Sequence, residues 1–326
     1  MTPLGRLSVI IPVRDERQRL PAVLDMVANQ TLVPDEVIIA DGLSADGSRA
    51  WLESQAGGSP WLRIVDNPRR IVPAALNVAL SASTGSVVAR MDAHAFYPPD
   101  YLEQVVGFLA AHPEVAGVGS VMATEGRGPW GRAIAATLRR PLGLGGARHR
   151  IEGGAGEIEH IFSGCYRREA LEAAGGWDER LSANEDFEAD ARIRADGGLL
   201  WLHPGARTTW YVRESLPALA RQMLRYGQGK ALTLLLHPET LRVRQLAPPV
   251  LVLGLAGGLL VRPRVGAMAM AGYAVAAGAL GARAAAADGA HPARGALVPP
   301  VVHLSWGAGL LGGLVRHGMG LARAHR

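Results

Sequence analysis

The stretch Leu7-Ser8-Val9-Ile10-Ile11-Pro12 decides the fold of this chain. It is a continuous, largely β-branched apolar run, which is typical of a strand that is covered on both faces of a parallel sheet. Four charged residues, Arg14-Asp15-Glu16-Arg17, follow it at once. The run is therefore too short for a signal peptide, and we expect the N-terminal part of the chain to stay in the cytosol.

Similar strand signals recur downstream and alternate with helical segments. The predicted strands are Glu36–Ala40, Leu62–Val65 and Ser86–Met91, and the predicted helices are the apolar stripe from Leu20 to Val27, Asp46–Ala56 and Val72–Ala82. Such alternation favours an α/β fold with a parallel sheet and right-handed crossovers. Ligands of these sheets bind beyond the carboxyl ends of the strands, where this chain places Asp15, Asp41 and Asp92.

The fourth strand runs out in Arg90-Met91-Asp92-Ala93-His94. Alternate residues of a strand point the same way, so we expect Asp92 and His94 to face one cation together. An oxygen and a nitrogen donor suit a divalent ion that is also bound to phosphate. The alternatives are a turn with solvated side chains, or direct contact of His94 with phosphate.

A second structured block follows a glycine-rich segment, Gly143–Gly156, which we interpret as a mobile loop. One predicted helix, Arg168–Ala174, is closed by Gly175-Gly176, and another runs from an N-cap at Asn184 to Ala195. The first strand is not followed by a Gly-x-Gly-x-x-Gly turn, which argues against a nicotinamide or flavin dinucleotide site. The single cysteine, Cys165, excludes an intramolecular disulfide and fits a reducing compartment.

The composition changes after Arg244, where the chain of 326 residues becomes rich in Leu, Ala, Gly and Val. Asp288 is the only carboxylate side chain between Gln245 and the end, whereas arginine recurs at positions 262, 264, 283, 294, 316, 323 and 326. This distribution suggests an anionic membrane surface as the partner. We expect no nucleic-acid partner, and the oligomeric state is left open.

Three apolar stretches, Leu246–Val261, Val265–Ala282 and Ala296–Val315, occupy this tail. The last two approach the roughly 20 residues that span a bilayer, and the first is short. Basic residues near spans prefer the cytosol, so we expect the first stretch to lie in the interface or to re-enter, the other two to cross, and both termini to be cytosolic. Buried helices of a soluble domain are the alternative.

Seven short motifs occur in a fixed order along the chain. They are Ser8-Val-Ile-Ile-Pro-Val-Arg-Asp-Glu16, Val37-Ile-Ile-Ala-Asp-Gly-Leu-Ser-Ala-Asp-Gly-Ser48, Asp66-Asn-Pro-Arg-Arg-Ile-Val-Pro-Ala-Ala-Leu-Asn77, Arg90-Met-Asp-Ala-His94, Gly175-Gly-Trp-Asp-Glu179, Asn184-Glu-Asp186 and Gln222-Met-Leu-Arg-Tyr226. Together they resemble the family 2 glycosyltransferases, and most closely their membrane-associated, succinoglycan-biosynthesis-type branch. The resemblance spans about Leu7 to Tyr226.

This resemblance implies a GT-A fold, which is a Rossmann-like, mostly parallel sheet with flanking helices. It places the catalytic domain at 1–213, an amphipathic basic interface helix region at 214–245 and C-terminal hydrophobic membrane helices at 246–326.

The resemblance also implies a site for a nucleotide-diphosphate sugar. The residues expected to hold this donor are Pro12, Arg14, Asp15, Glu16, Asp41, Asn77, Arg90 and Asp92. Asp92 and His94 would ligate Mn²⁺ or Mg²⁺, and the imidazole shifts the preference toward Mn²⁺. The ion would neutralise charge on the leaving diphosphate. Alternatively, Asp41 belongs to an Asp-Gly turn with a cap at Asp46, and Asp15 and Glu16 stabilise a helix N-terminus.

The catalytic base implied by the resemblance is Asp186, although an acid in the first turn of a helix can also be a partner of the helix dipole. The residues expected to contact the acceptor or the diphosphate are Trp177, Asp178, Glu185, Gln222, Arg225 and Tyr226. Trp177 is a core residue in the alternative interpretation. Tyr226 stands where membrane polysaccharide synthases carry Trp, which weakens a prediction of processive extension. Arg213, Arg221, Arg225 and Lys230 alternatively form a basic helix against lipid headgroups.

The sequence therefore predicts a metal-dependent, inverting glycosyltransferase at the cytosolic face of the inner membrane. It would move a sugar from a nucleotide-diphosphate sugar to a lipid-linked or other saccharide acceptor in polysaccharide or glycoconjugate assembly. The alternatives are transfer to polyprenyl phosphate, a nucleotidyltransferase, and a catalytically silent membrane scaffold that keeps a nucleotide-binding fold. The presence of Asp41, Asp92 and Asp186 argues against the scaffold.

Overall fold

The structure is a computed structural model that describes residues 2–144 and 155–324. The chain forms two compact units, one made of Met1–Ala123 with Ile151–Trp210 and the other of Thr124–Arg150 with Tyr211–Arg326. Most of the predicted Gly143–Gly156 loop lies outside the described residues.

Four parallel strands form one half of the sheet in the first unit. They are β1 (Leu7–Val13), β2 (Glu36–Asp41), β3 (Leu62–Asp66) and β4 (Val87–Arg90), in the order β3-β2-β1-β4. In the register of β1, Val9 lies opposite Val37 on one side and Ala89 on the other. The strands predicted from the sequence are confirmed, with ends that differ by one residue.

The apolar run of β1 is continuous because both of its faces are buried. The helices that follow the first strands are α1 (Leu20–Ala28), α2 (Ser48–Ala56), α3 (Val72–Ala82) and α4 (Tyr101–Ala111). Val9 and Ile11 belong to a core cluster with Leu24 of α1, whereas Ile10 belongs to a second cluster with Leu76 of α3. Alternate residues of β1 therefore serve two different layers.

The other half of the sheet is antiparallel and was not predicted. Its strands are β5 (Ala95–Phe96), β6 (Val115–Glu125), β7 (Gly156–Glu157), β8 (Cys165–Arg167) and β9 (Leu199–Tyr211). β8 pairs antiparallel with β4 and β6, so that the buried Cys165 lies opposite both Ala89 and Val118. The fold is therefore a mixed α/β sheet with flanking helices.

Both helices predicted in the second block are present. They are α7 (Arg168–Ala173) and α8 (Glu185–Ala195). Asn184 is the N-cap of α8 and has a φ of 64°, in the left-handed region. This conformation turns the chain sharply and places Glu185 and Asp186 in the first helical turn.

The second unit is helical. It contains α5 (Pro129–Leu138), α6 (Pro141–Leu144), α9 (Leu216–Leu236), α10 (Ala247–Val261), α11 (Pro263–Ala287) and α12 (Pro292–Ala324). The helices α9 and α12 approach closely at Gly309, where an added Cβ would lie 2.2 Å from the carbonyl oxygen of Leu224. Only glycine fits there, because the neighbouring atom belongs to the backbone.

Three segments of the described chain are long and apolar enough to cross a membrane. They are Val243–Val261 with 19 residues, Pro263–Ala287 with 25 and Pro292–Met319 with 28. The first segment gains length over the predicted stretch because a 3₁₀ turn, Val243–Leu246, precedes α10. The number of segments that cross remains a prediction.

Asp288, the single carboxylate of the tail, ties the turn between α11 and α12 to two arginines. Its oxygens lie 2.6 Å from Nη2 of Arg139 and 2.9 Å from Nη2 of Arg140. The helix α5 connects the end of β6 to these arginines, and its 10 residues extend only about 15 Å. That length cannot cross about 30 Å of hydrocarbon. The expected two-span arrangement would place this turn outside the cell, and the side of the membrane on which it lies stays a prediction.

The helix α9 does not present all of its basic residues to the surroundings. Arg221 and Arg225 are exposed, but Lys230 is buried. The ammonium group of Lys230 donates hydrogen bonds to the carbonyl oxygen of Thr240 at 3.2 Å and to its Oγ1 at 3.0 Å. Lys230 is therefore not part of the predicted basic face, because its charge is used inside the unit.

Candidate active site

Acidic residues meet at the carboxyl ends of three neighbouring parallel strands. Asp15 and Glu16 follow β1, Asp41 ends β2, and Asp92 follows β4. Because β1 lies between β2 and β4, the three strand ends are adjacent along one edge of the sheet. The sheet topology thus brings together the acids that the sequence analysis singled out.

Ser44 links the loops that follow β1 and β2. Its hydroxyl donates to Oδ1 of Asp41 at 2.6 Å and accepts from the backbone N of Asp15 at 2.8 Å. The carboxylate of Asp15 in turn accepts from the backbone N of Ala45 at 2.8 Å. Asp15 therefore joins two loops instead of stabilising α1, and Asp41, which is 1% exposed, fixes the shape of the second loop. Contact of either acid with a nucleotide stays a prediction.

The loop after β1 is also fastened to the N-terminal end of α2. The backbone N of Glu16 donates to Oγ of Ser48 at 3.0 Å, and the backbone N of Arg17 donates to Oδ2 of Asp46 at 2.9 Å. The other carboxylate oxygen of Asp46 accepts from the backbone N of Ser48 at 3.0 Å. Asp46 thus accepts backbone hydrogen bonds at this end of α2, as the alternative interpretation expected, although the N-cap residue is Gly47 and not Asp46.

Two predicted donor residues at this edge differ in exposure. Pro12 is partly buried in β1 opposite Ala40. Arg14 is exposed, and its Nη1 donates to the carbonyl oxygen of Arg70 at 3.3 Å. Contact of Pro12 or Arg14 with a donor stays a prediction.

Asn77 and Trp177 belong to one structural contact. The amide of Asn77 accepts from the backbone N of Trp177 at 2.8 Å and donates to its carbonyl oxygen at 2.8 Å. The indole of Trp177 lies in the core and is 2% exposed, so it offers no face for stacking on an acceptor sugar. The structure favours the core alternative for Trp177. Asp178, in the same turn, is ion-paired with Arg180 at 2.6 Å.

Arg90 is a buried guanidinium between two acids. Its Nε lies 3.0 Å from Oδ1 of Asp92, and its Nη1 lies 3.1 Å from Oε1 of Glu185 in α8. Burial opposes its charge, but the carboxylates of Asp92, Glu185 and Asp186 hold the pKa of Arg90 well above its ordinary value. Burial and the charge of Asp186 raise the pKa of Glu185, and Arg90 opposes that rise.

Asp92 and His94 lie in a turn and not in a strand. β4 ends at Arg90, and the backbone N of Ala95 donates to the carbonyl oxygen of Asp92 at 3.1 Å. Strand alternation therefore does not set the orientations of these two side chains, and their joint approach to one cation stays a prediction. Their orientations come from separate contacts: Asp92 accepts from Oγ of Ser163 at 3.3 Å, and His94 faces Glu16.

Binding of a divalent ion at this turn stays a prediction. Nδ1 of His94 lies 3.2 Å from Oε1 of Glu16, so Nε2 is the ring nitrogen that such an ion would use. Asp92 supplies a carboxylate close to it in the chain. Within residues 2–144 and 155–324 there is no cluster of three or more His, Cys, Asp or Glu that could hold a metal. Such a pair of donors suits an ion whose remaining ligands are phosphate oxygens and water.

Asp186 projects from the first turn of α8 and keeps part of its carboxylate accessible, with 20% of the side chain exposed. Its Oδ1 accepts from the backbone N of Phe187 at 2.8 Å. Its Oδ2 lies 3.8 Å from Nε2 of His160, a residue that sequence reasoning missed. The only signal in the sequence was the spacing of Asp186 and Asp190, which places both on one face of a helix.

In the helical unit, Gln222 and Tyr226 form a pair. Nε2 of Gln222 donates to the Tyr226 hydroxyl at 3.1 Å. Gln222 is 4% exposed, and its Oε1 accepts no hydrogen bond from the residues that the structure describes. Arg225 is exposed. The predicted role of these three residues toward the acceptor or the diphosphate stays a prediction.

Residues 8–175 match the family model described as Glycosyl transferase family 2. The chain is also 34% identical over 315 residues to the succinoglycan biosynthesis protein ExoA of Rhizobium meliloti (strain 1021), and the match covers 92% of each chain. The chain belongs to glycosyltransferase family 2. A second relative is the undecaprenyl-phosphate 4-deoxy-4-formamido-L-arabinose transferase of Serratia proteamaculans (strain 568), which is 28% identical over 55% of this chain and 54% of the relative.

A solved structure shares the fold of this family 2 glycosyltransferase. It is the mannosyltransferase PcManGT from Pyrobaculum calidifontis in complex with GDP-Man and Mn²⁺. The TM-score is 0.61 with 24% sequence identity, and the match covers 97% of this chain and 88% of that chain. The GT-A fold predicted from the sequence is therefore confirmed.

Proposed function

We propose that this glycosyltransferase moves a sugar, with inversion, from a nucleotide-diphosphate sugar to a hydroxyl of a lipid-linked saccharide at the cytosolic face of the membrane. Family membership supports glycosyl transfer, and the relative named for succinoglycan biosynthesis supports a role in polysaccharide assembly. Three apolar segments support an acceptor that is presented at a membrane.

One observation carries the proposal. Arg90 contacts Asp92 at the end of β4 and, through Glu185, the first turn of α8 that carries Asp186. The acid assigned to the donor side and the acid assigned to the acceptor side are thereby held around one guanidinium. This arrangement suits an inverting transfer, in which the base acts on the acceptor while the diphosphate is held separately.

In the proposed reaction, Asp186 accepts the proton of the acceptor hydroxyl as that oxygen bonds to the anomeric carbon. The nucleoside diphosphate leaves with the electron pair of the broken bond. Asp15 and Asp41 shape the loops beside the nucleotide. Asp92 and Nε2 of His94 would hold Mn²⁺ or Mg²⁺, and such an ion supplies charge neutralisation for the leaving diphosphate when it is bound.

Transfer to polyprenyl phosphate is the second candidate, because some relatives are named as undecaprenyl-phosphate transferases. A phosphate oxygen is already ionised at neutral pH and needs no base. A hydroxyl acceptor, in contrast, gives Asp186 a task. The partial exposure of Asp186 therefore favours a saccharide hydroxyl over a phosphate acceptor.

The test uses the full-length protein in detergent with Mn²⁺, a panel of nucleotide-diphosphate sugars, and two acceptors, polyprenyl phosphate and a polyprenyl-diphosphate-linked saccharide. The proposal predicts release of a nucleoside diphosphate and extension of the saccharide. It also predicts that Asp92→Ala abolishes transfer and that Asp100→Ala, at an exposed acid before α4, does not. Release of a sugar 1-phosphate from the donor would indicate nucleotidyl transfer instead. Extension of polyprenyl phosphate alone would support the second candidate.

A further inference from the structure

His160 lies between two acids of α8. Asp186 and Asp190 are four residues apart, so their side chains lie on one face of the helix. Nδ1 of His160 is 2.8 Å from Oδ2 of Asp190, and Nε2 is 3.8 Å from Oδ2 of Asp186. One imidazole therefore faces a carboxylate at each of its two nitrogens.

Asp190 determines which nitrogen of His160 carries the proton. Its side chain is fully buried, and its carboxylate also accepts from the backbone N of Ile161 at 2.8 Å and from the Tyr166 hydroxyl at 2.9 Å. A carboxylate can only accept, so Nδ1 of His160 donates to it. In the neutral ring, the lone pair is then on Nε2, the atom that faces Asp186.

The groups that interact with this ring or with its two carboxylates come from three elements. α8 contributes Glu185, Asp186 and Asp190, and β8 contributes the neutral phenol of Tyr166, whose pKa is raised by burial. β4 contributes Arg90, whose hydrogen bonds go to Asp92 and Glu185. Burial raises the pKa of Asp190, whereas the hydrogen bond from His160 lowers it. A proton on Nε2 of His160 would therefore lie between the carboxylates of Asp186 and Asp190.

We propose that His160 is the second proton acceptor of a relay. Its Nε2 receives the proton that Asp186 removes from the acceptor hydroxyl. This inference rests on the proposed function. The acceptor O–H bond breaks as the new C–O bond forms, and the nucleoside diphosphate leaves with the electron pair of the old bond. The proton passes from Asp186 to His160 and then to solvent, while the Nδ1 proton stays on the hydrogen bond to Asp190.

The relay has a chemical advantage over Asp186 alone. In water the pKa is about 6.5 for an imidazole and about 3.9 for aspartic acid, so the imidazole holds a proton more than about 100-fold more tightly. Transfer to His160 thus returns Asp186 to its ionised form before the next acceptor binds. His160 acts through Asp186 and is a positioning residue in this scheme.

The variant His160→Asn separates a relay from a purely structural role. An asparagine amide can donate to Asp190 as Nδ1 does, but it places no basic nitrogen toward Asp186. Asp190→Asn keeps an acceptor for His160 while it removes the negative charge that favours the imidazolium. The matched control is His112→Gln, because His112 forms an exposed pair with Glu114 at 3.1 Å. For each variant, kcat is measured from pH 4 to 9, and donor affinity is measured by calorimetry.

We expect His160→Asn to lower kcat by about 10- to 100-fold with donor affinity within about twofold of the parent. The acid limb of the kcat profile should move to lower pH by about one unit or more, since only carboxylates then titrate. Asp190→Asn should shift the acid limb the same way. If His160→Asn misfolds and loses donor binding, Asp190→Asn becomes the variant that tests the relay. His112→Gln should match the parent.

Two results would overturn the relay. The first is a parent protein that transfers sugar while a folded His160→Asn, or Asp190→Asn in its place, has the kcat and pH profile of the parent. His160 then has no part in proton movement, and the proposed function stands. If the parent protein transfers no sugar to any hydroxyl acceptor, the proposed function and the relay fail together.

Discussion

Arg90, the last residue of β4, and Asp92, two residues later, form a two-pronged ion pair in which Nε lies 3.0 Å from Oδ1 and Nη2 lies 3.3 Å from Oδ2. The pair is largely buried, with 8% of the arginine side chain and 17% of the aspartate side chain exposed. Arg90 also contacts Glu185, so its loss would leave two acids without their cation. Arg90 therefore maintains the arrangement of both acids in the site.

We expect Arg90→Lys to destabilise the protein by about 1–3 kcal/mol and to weaken donor binding. Lysine keeps the charge but lacks the planar fork that reaches Asp92 with two nitrogens and Glu185 with a third. The matched control is Arg180→Lys. Arg180 pairs with Asp178, which is also two residues away along the chain, but the arginine side chain is 61% exposed. Such an exposed pair contributes about 1 kcal/mol or less. Thermal unfolding of both variants in one detergent makes the comparison, and equal losses would contradict the account.

Glu16→Gln should weaken binding of Mn²⁺ in the presence of a nucleoside diphosphate by roughly 10-fold. The carboxylate of Glu16 orients His94 through Nδ1, and a neutral amide is a poorer acceptor for that proton. Paramagnetic resonance of free Mn²⁺ measures the affinity without relying on turnover. The control is Glu53→Gln, an exposed acid of α2 that pairs with Arg49. Unchanged Mn²⁺ affinity in Glu16→Gln would remove Glu16 from the metal site.

Lys230 is the only lysine of the sequence, so its titration can be followed alone apart from the N-terminal amine. Burial lowers its pKa from 10.5 to about 8, and the nearby Glu239 opposes that shift only partly. Between these two pH values the unfolded chain binds more protons than the folded one, so stability rises with pH across this window. The expected gain is roughly 3 kcal/mol.

Reductive methylation with ¹³C-formaldehyde gives Lys230 a resonance whose pH dependence reports the pKa. Lys230→Met should remove the gain in unfolding temperature between pH 8 and 10.5, which separates Lys230 from tyrosines that titrate in the same window. A midpoint near 10.5 in the folded protein would contradict the burial of this amine.

The Asp288 contact makes a prediction about membrane topology. If Arg139 and Arg140 hold Asp288 on the catalytic side, Gly289→Cys should react with a membrane-impermeant maleimide in inside-out vesicles and not in intact cells. The native Cys165 is fully buried and gives little background. Asp25→Cys, in α1 of the catalytic domain, is the cytosolic control. Labelling of Gly289→Cys in intact cells would instead support the two-span arrangement.

The parallel half of the fold was predictable because its signals are local. Leu7–Pro12 and Glu36–Ala40 are continuous apolar runs, and glycines mark the ends of α7 and α8. The antiparallel strands were not predictable from such signals. β8 is only three residues long, and its pairing with β4 and β6 depends on partners far away in the sequence.

The candidate site was likewise predictable only where its signals are local in the sequence. Acids at strand ends follow from topology, so Asp41 and Asp92 could be assigned to one edge. The early end of β4 at Arg90 could not be read from the sequence, and it changes how Asp92 and His94 are oriented. His160 was missed because its partners, Asp186 and Asp190, lie on another element of the fold.

The most direct test of the account is Asp186→Asn, measured for donor binding and for turnover in the same preparation. Asp196→Asn, an exposed acid at the other end of α8, is the control. The account predicts that donor affinity by calorimetry stays within about twofold while kcat falls by roughly 10²- to 10⁴-fold, as expected for a lost general base. An unchanged kcat, or a loss of donor affinity as large as the loss of turnover, would contradict the assignment of Asp186 as the base.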